Sequence, residues 1–107
     1  MPNIKLSADG MLLCSHCGDD SLHKLYICLF PREEDQQGDT YHVDMRTGEI
    51  LKNFPGVVNP SKRRDGASII YWCEICKKLT KVDFAQHKGH EHISVDDDFK
   101  GELIKIE

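Results

Sequence analysis

The sequence predicts a mainly β protein made of one domain, on three observations. Short runs rich in β-branched and aromatic residues recur along the chain, glycine, proline and asparagine mark turns between them, and no segment keeps the 3.6-residue apolar period of an amphipathic helix. The chain has 107 residues, 39% of them hydrophobic, which suits one thin-cored domain. We expect residues 1–95 to form it and residues 96–107 to form an acidic C-terminal segment that could dock on it.

The first half of the chain predicts a long strand and a hairpin. The strand covers residues 22–30, an apolar run that ends at a proline and is expected to be buried on both faces. Within it, Cys28 is expected to be a buried structural thiol. Residues 40–45 alternate with period two, and a glycine-containing turn leads them into a return strand that begins at 50–51.

The second half predicts a further strand and a second hairpin. Three turn signals within residues 53–66 predict irregular backbone between the halves. Residues 67–73, ASIIYWC, form the clearest strand because they are β-branched and aromatic, and they end in a cysteine. Residues 79–87 and 90–95 flank a Lys-Gly turn and are expected to pair, with a short helix over 77–87 as the alternative.

Two cysteine pairs carry the chemistry that the sequence predicts. Cys14 and Cys17 form one Cys-x2-Cys turn, and Cys73 and Cys76 form the other. This spacing lets two thiolates converge on one ion, so two turns complete the four-sulfur tetrahedron that structural zinc prefers. A closed shell leaves no position for water or substrate, which argues against metal catalysis.

The two turns differ in sequence and are separated by a long segment. Gly18 follows the first pair and adopts a positive φ easily, whereas Lys77 at the matching place does so less freely. Residues 18–72 lie between the pairs, longer than a compact zinc finger uses, and must themselves fold as strands inserted between the turns.

The two cysteine turns resemble those of the zinc-ribbon group, in which two such turns at the tips of β-hairpins clamp one structural zinc ion. The resemblance implies a zinc-ribbon-like single domain of hairpins with a long insertion between the metal turns. Its ligands would be Cys14, Cys17, Cys73 and Cys76. Three segments within residues 59–89 also look like small uncharacterised bacterial zinc-ribbon proteins: NPSKRRDG (59–66), YWCEIC (71–76) and AQHKG (85–89).

Other metals and other ligands are the alternatives. Iron is the less favoured occupant of the same four-cysteine site, since identical ligands do not separate it from Zn²⁺. A two-cysteine, two-histidine site would use Cys73, Cys76, His87 and His92, but its spacing departs from the usual finger and leaves the first cysteine pair idle. A second metal site could be formed by His87, His90 and His92.

The charge pattern leaves the partner open between protein and nucleic acid. The net charge of −4 disfavours binding of nucleic acid through bulk charge, yet residues 55–95 carry seven basic and four acidic side chains. Lys62, Arg63, Arg64 and Tyr71 are the candidate nucleic-acid contacts. The basic residues of this segment are Lys62, Arg63, Arg64, Lys77, Lys78, Lys81 and Lys88.

Taken as a sequence, the chain therefore predicts a small zinc-binding protein that serves as a protein- or nucleic-acid-interaction module, and an enzyme is the less favoured interpretation. No apolar run approaches the ~20 residues of a membrane span, and the first residues lack the basic and apolar parts of an export signal, so we expect a cytoplasmic location and no membrane partner. No small-molecule substrate is inferred. The alternative is a metal-dependent enzyme, or a redox or electron-transfer protein, that uses the histidine group or the cysteine pairs.

Overall fold

The protein is all-β, as predicted. The computed structural model describes residues 3–36, 38–96 and 99–101. In these ranges no helix is long and apolar enough to cross a membrane. Six strands form one antiparallel sheet: β1 (Leu22–Phe30), β2 (Tyr41–Asp44), β3 (Ile50–Lys52), β4 (Gly66–Cys73), β5 (Leu79–His87) and β6 (His90–Asp96).

The sheet consists of two consecutive three-stranded meanders joined side by side. The strand order is β3-β2-β1-β4-β5-β6, so β1 pairs with β4 across the centre, with Cys28 opposite Ser68. The predicted hairpins β2–β3 and β5–β6 are confirmed, and the latter closes over a two-residue turn. The alternative helix over 77–87 is wrong, because β5 pairs along its length with strands on both sides.

The core lies on one face of the sheet. Tyr26, Cys28 and Ile70 project from the central strands and are buried, as expected for Cys28. The irregular segment between β3 and β4 covers them, because Phe54 and Val57 pack against the same cluster. Rings stack at this contact, with the centroids of Tyr26 and Phe54 5.9 Å apart. The turn-rich segment that follows β3 is therefore the second layer of a small domain.

The opposite face of the sheet carries two cross-strand rows that are mostly apolar, here called the apolar face. The first row crosses all six strands and consists of Ile50, Val43, Ile27, Ile69, Val82 and Val95. The second row consists of Lys52, Tyr41, Leu29, Ala67, Phe84 and Ile93. Burial of β1 on both faces is therefore wrong: Leu29 is 44% exposed, because no second layer covers that end of the sheet in the described residues.

A charged pair is buried inside the sheet. Lys81 is 3% exposed, and its Nζ lies 2.5 Å from Oδ1 of Asp83 and 3.4 Å from Oδ2 of Asp96. The Ser68 hydroxyl donates a 2.7 Å hydrogen bond to the same Asp83 oxygen. The inclusion of Lys81 among the candidate basic residues assumed that it lies on an exposed basic surface. That assumption is wrong, because its ammonium group neutralises carboxylates inside the fold.

The C-terminal segment begins where β6 ends at Asp96. Phe99 packs against the core, and Gly101 lies beside Leu79. Residues 97, 98 and 102–107 lie outside the described residues, so docking of the whole acidic segment stays a prediction.

Candidate metal centre

The fold brings together four cysteines that are distant in sequence. Cys14 and Cys17 lie in a turn that directly precedes β1, and Cys73 and Cys76 lie in the turn that joins β4 to β5. The second turn is at a hairpin tip, as in a ribbon. Pairing of β1 with β4 places Leu22 opposite Cys73, so the first turn arrives beside the second.

The two turns share one backbone pattern. In the first, the N–H of Cys14 donates to the carbonyl of Asp19 at 2.7 Å, and the N–H of Gly18 donates to the carbonyl of Cys14 at 3.0 Å. In the second, Cys73 and Lys77 make the equivalent bonds at 3.0 Å each. The fourth residue after the start of each turn has a positive φ, 80° at Gly18 and 64° at Lys77. Lys77 thus adopts the conformation that its side chain disfavours, because the turn geometry requires it.

The four sulfur atoms form a compact cluster. Each Sγ lies within 4.8 Å of the others, and the Cys14–Cys76 and Cys17–Cys73 pairs are 3.6 Å apart. Four sulfurs around one Zn²⁺ at ~2.3 Å would be ~3.8 Å from one another. The donor set and the spacing therefore fit a single tetrahedral ion, and the four cysteines form a group that could hold a metal ion in a structural role.

Side chains next to the cluster tie the two turns together. Ser15 approaches Thr80 on β5, with the two hydroxyl oxygens 3.1 Å apart. The Thr80 hydroxyl donates to Sγ of Cys14 at 3.8 Å, and Nε2 of His16 lies 2.8 Å from the Leu79 carbonyl oxygen. Such contacts orient metal ligands. These residues were not predicted from the sequence, although the polar Ser-His pair inside the first Cys-x2-Cys indicated them.

The thiols have different acidities in the metal-free cluster. Burial opposes ionisation of Cys14, but hydrogen bonds from the backbone N–H groups of Cys17 and His16 outweigh it, and the pKa of Cys14 falls to about 6. At Cys17 a backbone hydrogen bond favours the thiolate, yet burial and the neighbouring thiols raise its pKa to about 12. Within the cluster, Cys14 is therefore more readily ionised than Cys17.

An aromatic and charged border surrounds the second turn. Trp72 contacts both Lys77, whose Nζ is 4.8 Å from the ring centroid, and His23, whose ring centroid is 5.8 Å away. His23 also contacts Glu74, with Nε2 2.9 Å from Oε1. A four-thiolate zinc site carries a charge of −2, and the Lys77 ammonium lies in the turn that would bear half of it.

The three predicted histidine ligands lie at the far end of the sheet. His87 pairs directly with His90 across the β5–β6 turn, and the ring centroids of His87 and His92 are 6.0 Å apart. In residues 3–36, 38–96 and 99–101, the cysteine cluster is the group of three or more potential ligands whose atoms converge. A second metal at the histidines stays a prediction.

The predicted basic contacts are placed apart from their aromatic partner. Lys62, Arg63 and Arg64 precede β4, whose first residue pairs with Ala85, whereas Tyr71 pairs with Thr80. Five residues of strand separate the two places, or roughly 17 Å. The structure thus brings the basic loop to the histidine end of the sheet and Tyr71 to the cysteine end.

Comparison of the chain with protein-family models, with curated proteins and with solved structures gave no match. The functional interpretation therefore depends on the geometry of this chain.

Proposed function

We propose that this protein is a small zinc-binding interaction module in which Cys14, Cys17, Cys73 and Cys76 hold one structural Zn²⁺. The convergence of four thiols on one point carries the proposal, because one cluster shared by two turns serves a metal better than two independent redox pairs. The ion supplies a cross-link between the N-terminal turn and the β4–β5 turn. Because four sulfurs fill its coordination shell, the proposed role is binding rather than catalysis.

The partner that we propose is a protein. The apolar face remains partly uncovered at the β1–β3 end, where Ile50 is 64% exposed and Leu29 is 44% exposed. Contiguous exposed apolar side chains typically mark contact surfaces. This end of the sheet belongs to the acidic half of the chain, since residues 1–54 carry nine acidic and five basic side chains. A protein surface with an apolar centre and a basic rim would complement it.

Native mass spectrometry of the untagged protein, before and after a strong chelator, tests the metal assignment. We expect one zinc ion per chain, and its removal should expose four reactive thiols in a Cys28→Ala background, which removes the fifth, non-ligand thiol. Two metals per chain, or no metal with an oxidised cysteine pair, would contradict the proposal. Visible absorption from bound iron, in protein produced in zinc-replete medium, would instead favour an electron carrier.

Site-specific photo-crosslinking in cells tests the partner. A photoreactive phenylalanine analogue at Tyr41 lies within the apolar face, whereas one at Met45, which is similarly exposed in the β2–β3 turn, serves as the control. We expect a discrete protein adduct from position 41 that disappears in an Ile50→Glu background. Equal adducts from both positions, or none from position 41, would contradict a docking role for this face.

A further inference from the structure

A cleft opens at the end of the sheet opposite the cysteine cluster. It lies between the loop that precedes β4 and the β5–β6 hairpin, and its volume is about 570 Å³. This volume falls within the range of small-molecule sites, roughly 300–1,000 Å³. We call it the basic cleft, and the residues that matter for its chemistry are Lys62, Arg63, Arg64, His87, Lys88 and His92.

The loop wall of the basic cleft is fixed on both sides. Ser61 is 7% exposed and donates a 2.9 Å hydrogen bond to the Gln86 carbonyl on β5. On the other side, Arg32 donates to the carbonyls of Arg64 at 2.8 Å and Ser61 at 3.2 Å. Gly66 is required where the loop enters β4, because a Cβ there would collide with Asn59. The cleft is therefore preformed, which lowers the ordering cost of binding.

The charge in the cleft is positive although the protein is acidic. Four lysine and arginine side chains and one carboxylate, Glu34, line the cleft, in a chain whose net charge is −4. Lys62 and Lys88 form no ion pair within the described ranges. Concave walls of low polarizability concentrate the potential of such a cluster, so an anionic group is the favoured occupant.

The two arginines are held but retain hydrogen-bond donors. Arg63 contacts Asp35 through Nε at 2.9 Å and Nη2 at 2.6 Å, and Arg64 contacts Glu34 through Nη2 at 3.2 Å. Each guanidinium has five N–H donors, so these contacts leave Nη1 of each arginine for a ligand. The carboxylates of Asp35 and Glu34 orient the two guanidinium groups, and they also compete with a ligand for the N–H donors.

The rest of the cleft suits a ligand body with an apolar or planar surface. Pro60, Ala85 and Ile93 line it together with the imidazole rings of His87 and His92. We propose that the basic cleft binds a nucleotide-sized phosphomonoester, with the phosphate at the lysine and arginine side chains and the body against the apolar residues and imidazoles. This site is independent of the cysteine cluster and goes beyond the proposed interaction module.

A small ligand is favoured over a nucleic-acid chain by the shape and surroundings of the cleft. Binding of a chain would use an extended basic track with stacking aromatic residues. Here Glu34 and Asp35 border the arginines, and Tyr71 lies several residues further along β4. The cations are therefore concentrated at one concave place.

Titration of the isotopically labelled, zinc-loaded full chain with AMP, followed by amide NMR shifts, tests the proposal. We expect saturable shifts centred on residues 60–64, 85–88 and 92–94, with adenosine at least about tenfold weaker because it lacks the phosphate. Unsaturable shifts, or shifts spread over the surface, would overturn the proposal. Inorganic phosphate that binds as tightly as AMP would overturn the role of the apolar walls.

A single-stranded oligonucleotide tests whether the phosphate that binds the basic cleft belongs to a nucleic acid or to a small ligand. We expect it to bind the cleft more weakly than AMP does. Tighter binding of the oligonucleotide through these residues, with an affinity that falls steeply as salt rises, would replace the small ligand by nucleic acid.

Charge variants locate the site. Lys62→Gln combined with Lys88→Gln should weaken AMP binding roughly tenfold, because both lysines are exposed and line the cleft. Lys24→Gln removes one positive charge from a lysine beside Tyr71, at the cysteine end, and should leave the affinity unchanged. Normal binding by the double variant would overturn the proposal.

Removal of the competing carboxylate gives an effect of opposite sign. Glu34→Gln should strengthen AMP binding several-fold, because Arg63 and Arg64 lose a negatively charged partner that a phosphate would otherwise replace. If Glu34 only held the loop in place, the substitution would weaken binding instead.

Discussion

Lys77 and Gly18 occupy matching positions in the two cysteine turns, and both have a positive φ. At Gly18 a Cβ would meet no atom within 4 Å, so the cost of a side chain there is conformational alone. We expect Gly18→Ala to lower the free energy of unfolding by about 1 kcal/mol relative to the parent. We expect the free energy of unfolding of Lys77→Gly to be higher than that of Lys77→Ala by a similar amount.

The Lys77→Ala reference is needed because Lys77 also contacts the Trp72 ring, at 4.8 Å from the centroid. Both Lys77 variants lose that cation–π contact, and only the glycine relieves the backbone. Chemical denaturation of the zinc-loaded variants measures the difference. Equal stabilities of Lys77→Gly and Lys77→Ala would show that the turn tolerates a side chain without strain.

The buried Lys81–Asp83 pair makes a second prediction at single residues. Asp83→Ala should destabilise the protein by about 3–5 kcal/mol, because it leaves the 3%-exposed ammonium of Lys81 without its nearest carboxylate. The double variant Lys81→Met/Asp83→Val removes both charges and should lose less than the single variant. Urea unfolding of the two proteins measures this order, and a double variant less stable than Asp83→Ala would contradict it.

Strand β2 contains a histidine whose surroundings disfavour its protonated form. His42 is fully buried and packs against Phe30 and Phe54, with ring centroids 5.8 Å away in both cases. Its Nε2 lies 3.0 Å from the Thr40 hydroxyl, while its Nδ1 has no partner in the described residues. Burial lowers the pKa of His42, because the charged ring would lose its solvation.

The stability of the protein should therefore fall as the pH drops below about 6.5, where the unfolded chain takes up a proton at His42 and the folded protein does not. The contribution is complete above that pH and is lost on acidification. Unfolding free energies of zinc-saturated protein, measured across this window, should decrease less steeply for His42→Gln than for the parent. His90→Gln alters an exposed ring and should keep the parent slope; an unchanged slope in His42→Gln would contradict this account.

At the scale of elements, the sequence predicted the strands, hairpins and turns that neighbouring residues determine. It did not predict features that depend on how the strands pair. Strands, hairpins and the turn segment follow from residue type and period, so their places were predictable. The exposure of Leu29 was not predictable, because an apolar run is expected to be covered on both faces. Its exposure follows only from the open face of the sheet. Lys81 looked like a surface cation because the sequence did not show that its face of β5 is buried. Asp83 lies two positions away on the same strand, whereas Asp96 becomes a neighbour only once β5 and β6 are in register.

At the scale of the whole molecule, metal removal should unfold the protein. The domain is thin, and binding of structural zinc by small domains contributes on the order of 10–16 kcal/mol. We expect the zinc-loaded protein to show a cooperative thermal transition by circular dichroism, and a chelator, or Cys17→Ser, to abolish it. Cys28→Ala changes a thiol outside the cluster and should keep both the metal and a transition; a chelated protein that still melts cooperatively at the parent temperature would contradict the structural role.

The same distinction applies to the candidate sites: the cysteine cluster follows from local spacing, whereas the basic cleft depends on contacts between distant residues. The cysteine cluster was predictable because each pair is separated by two residues, a distance that one turn fixes. The basic cleft was not, because Lys62–Arg64 and His87–His92 appeared as two unrelated motifs. They form one site only because the loop before β4 is anchored on Gln86, a contact between residues 25 positions apart.

The cysteine cluster can form only late in synthesis, because its two cysteine pairs are far apart in the chain. Cys14 and Cys76 are 62 positions apart, and β1 cannot find its central partner until β4 exists. At ~5–20 residues per second, translation takes roughly 3–12 s to pass from one cysteine to the other. For those seconds the first pair of thiols has been synthesised and the second pair has not, so binding of a metal ion by all four cysteines would be a late event that coincides with the pairing of the two meanders.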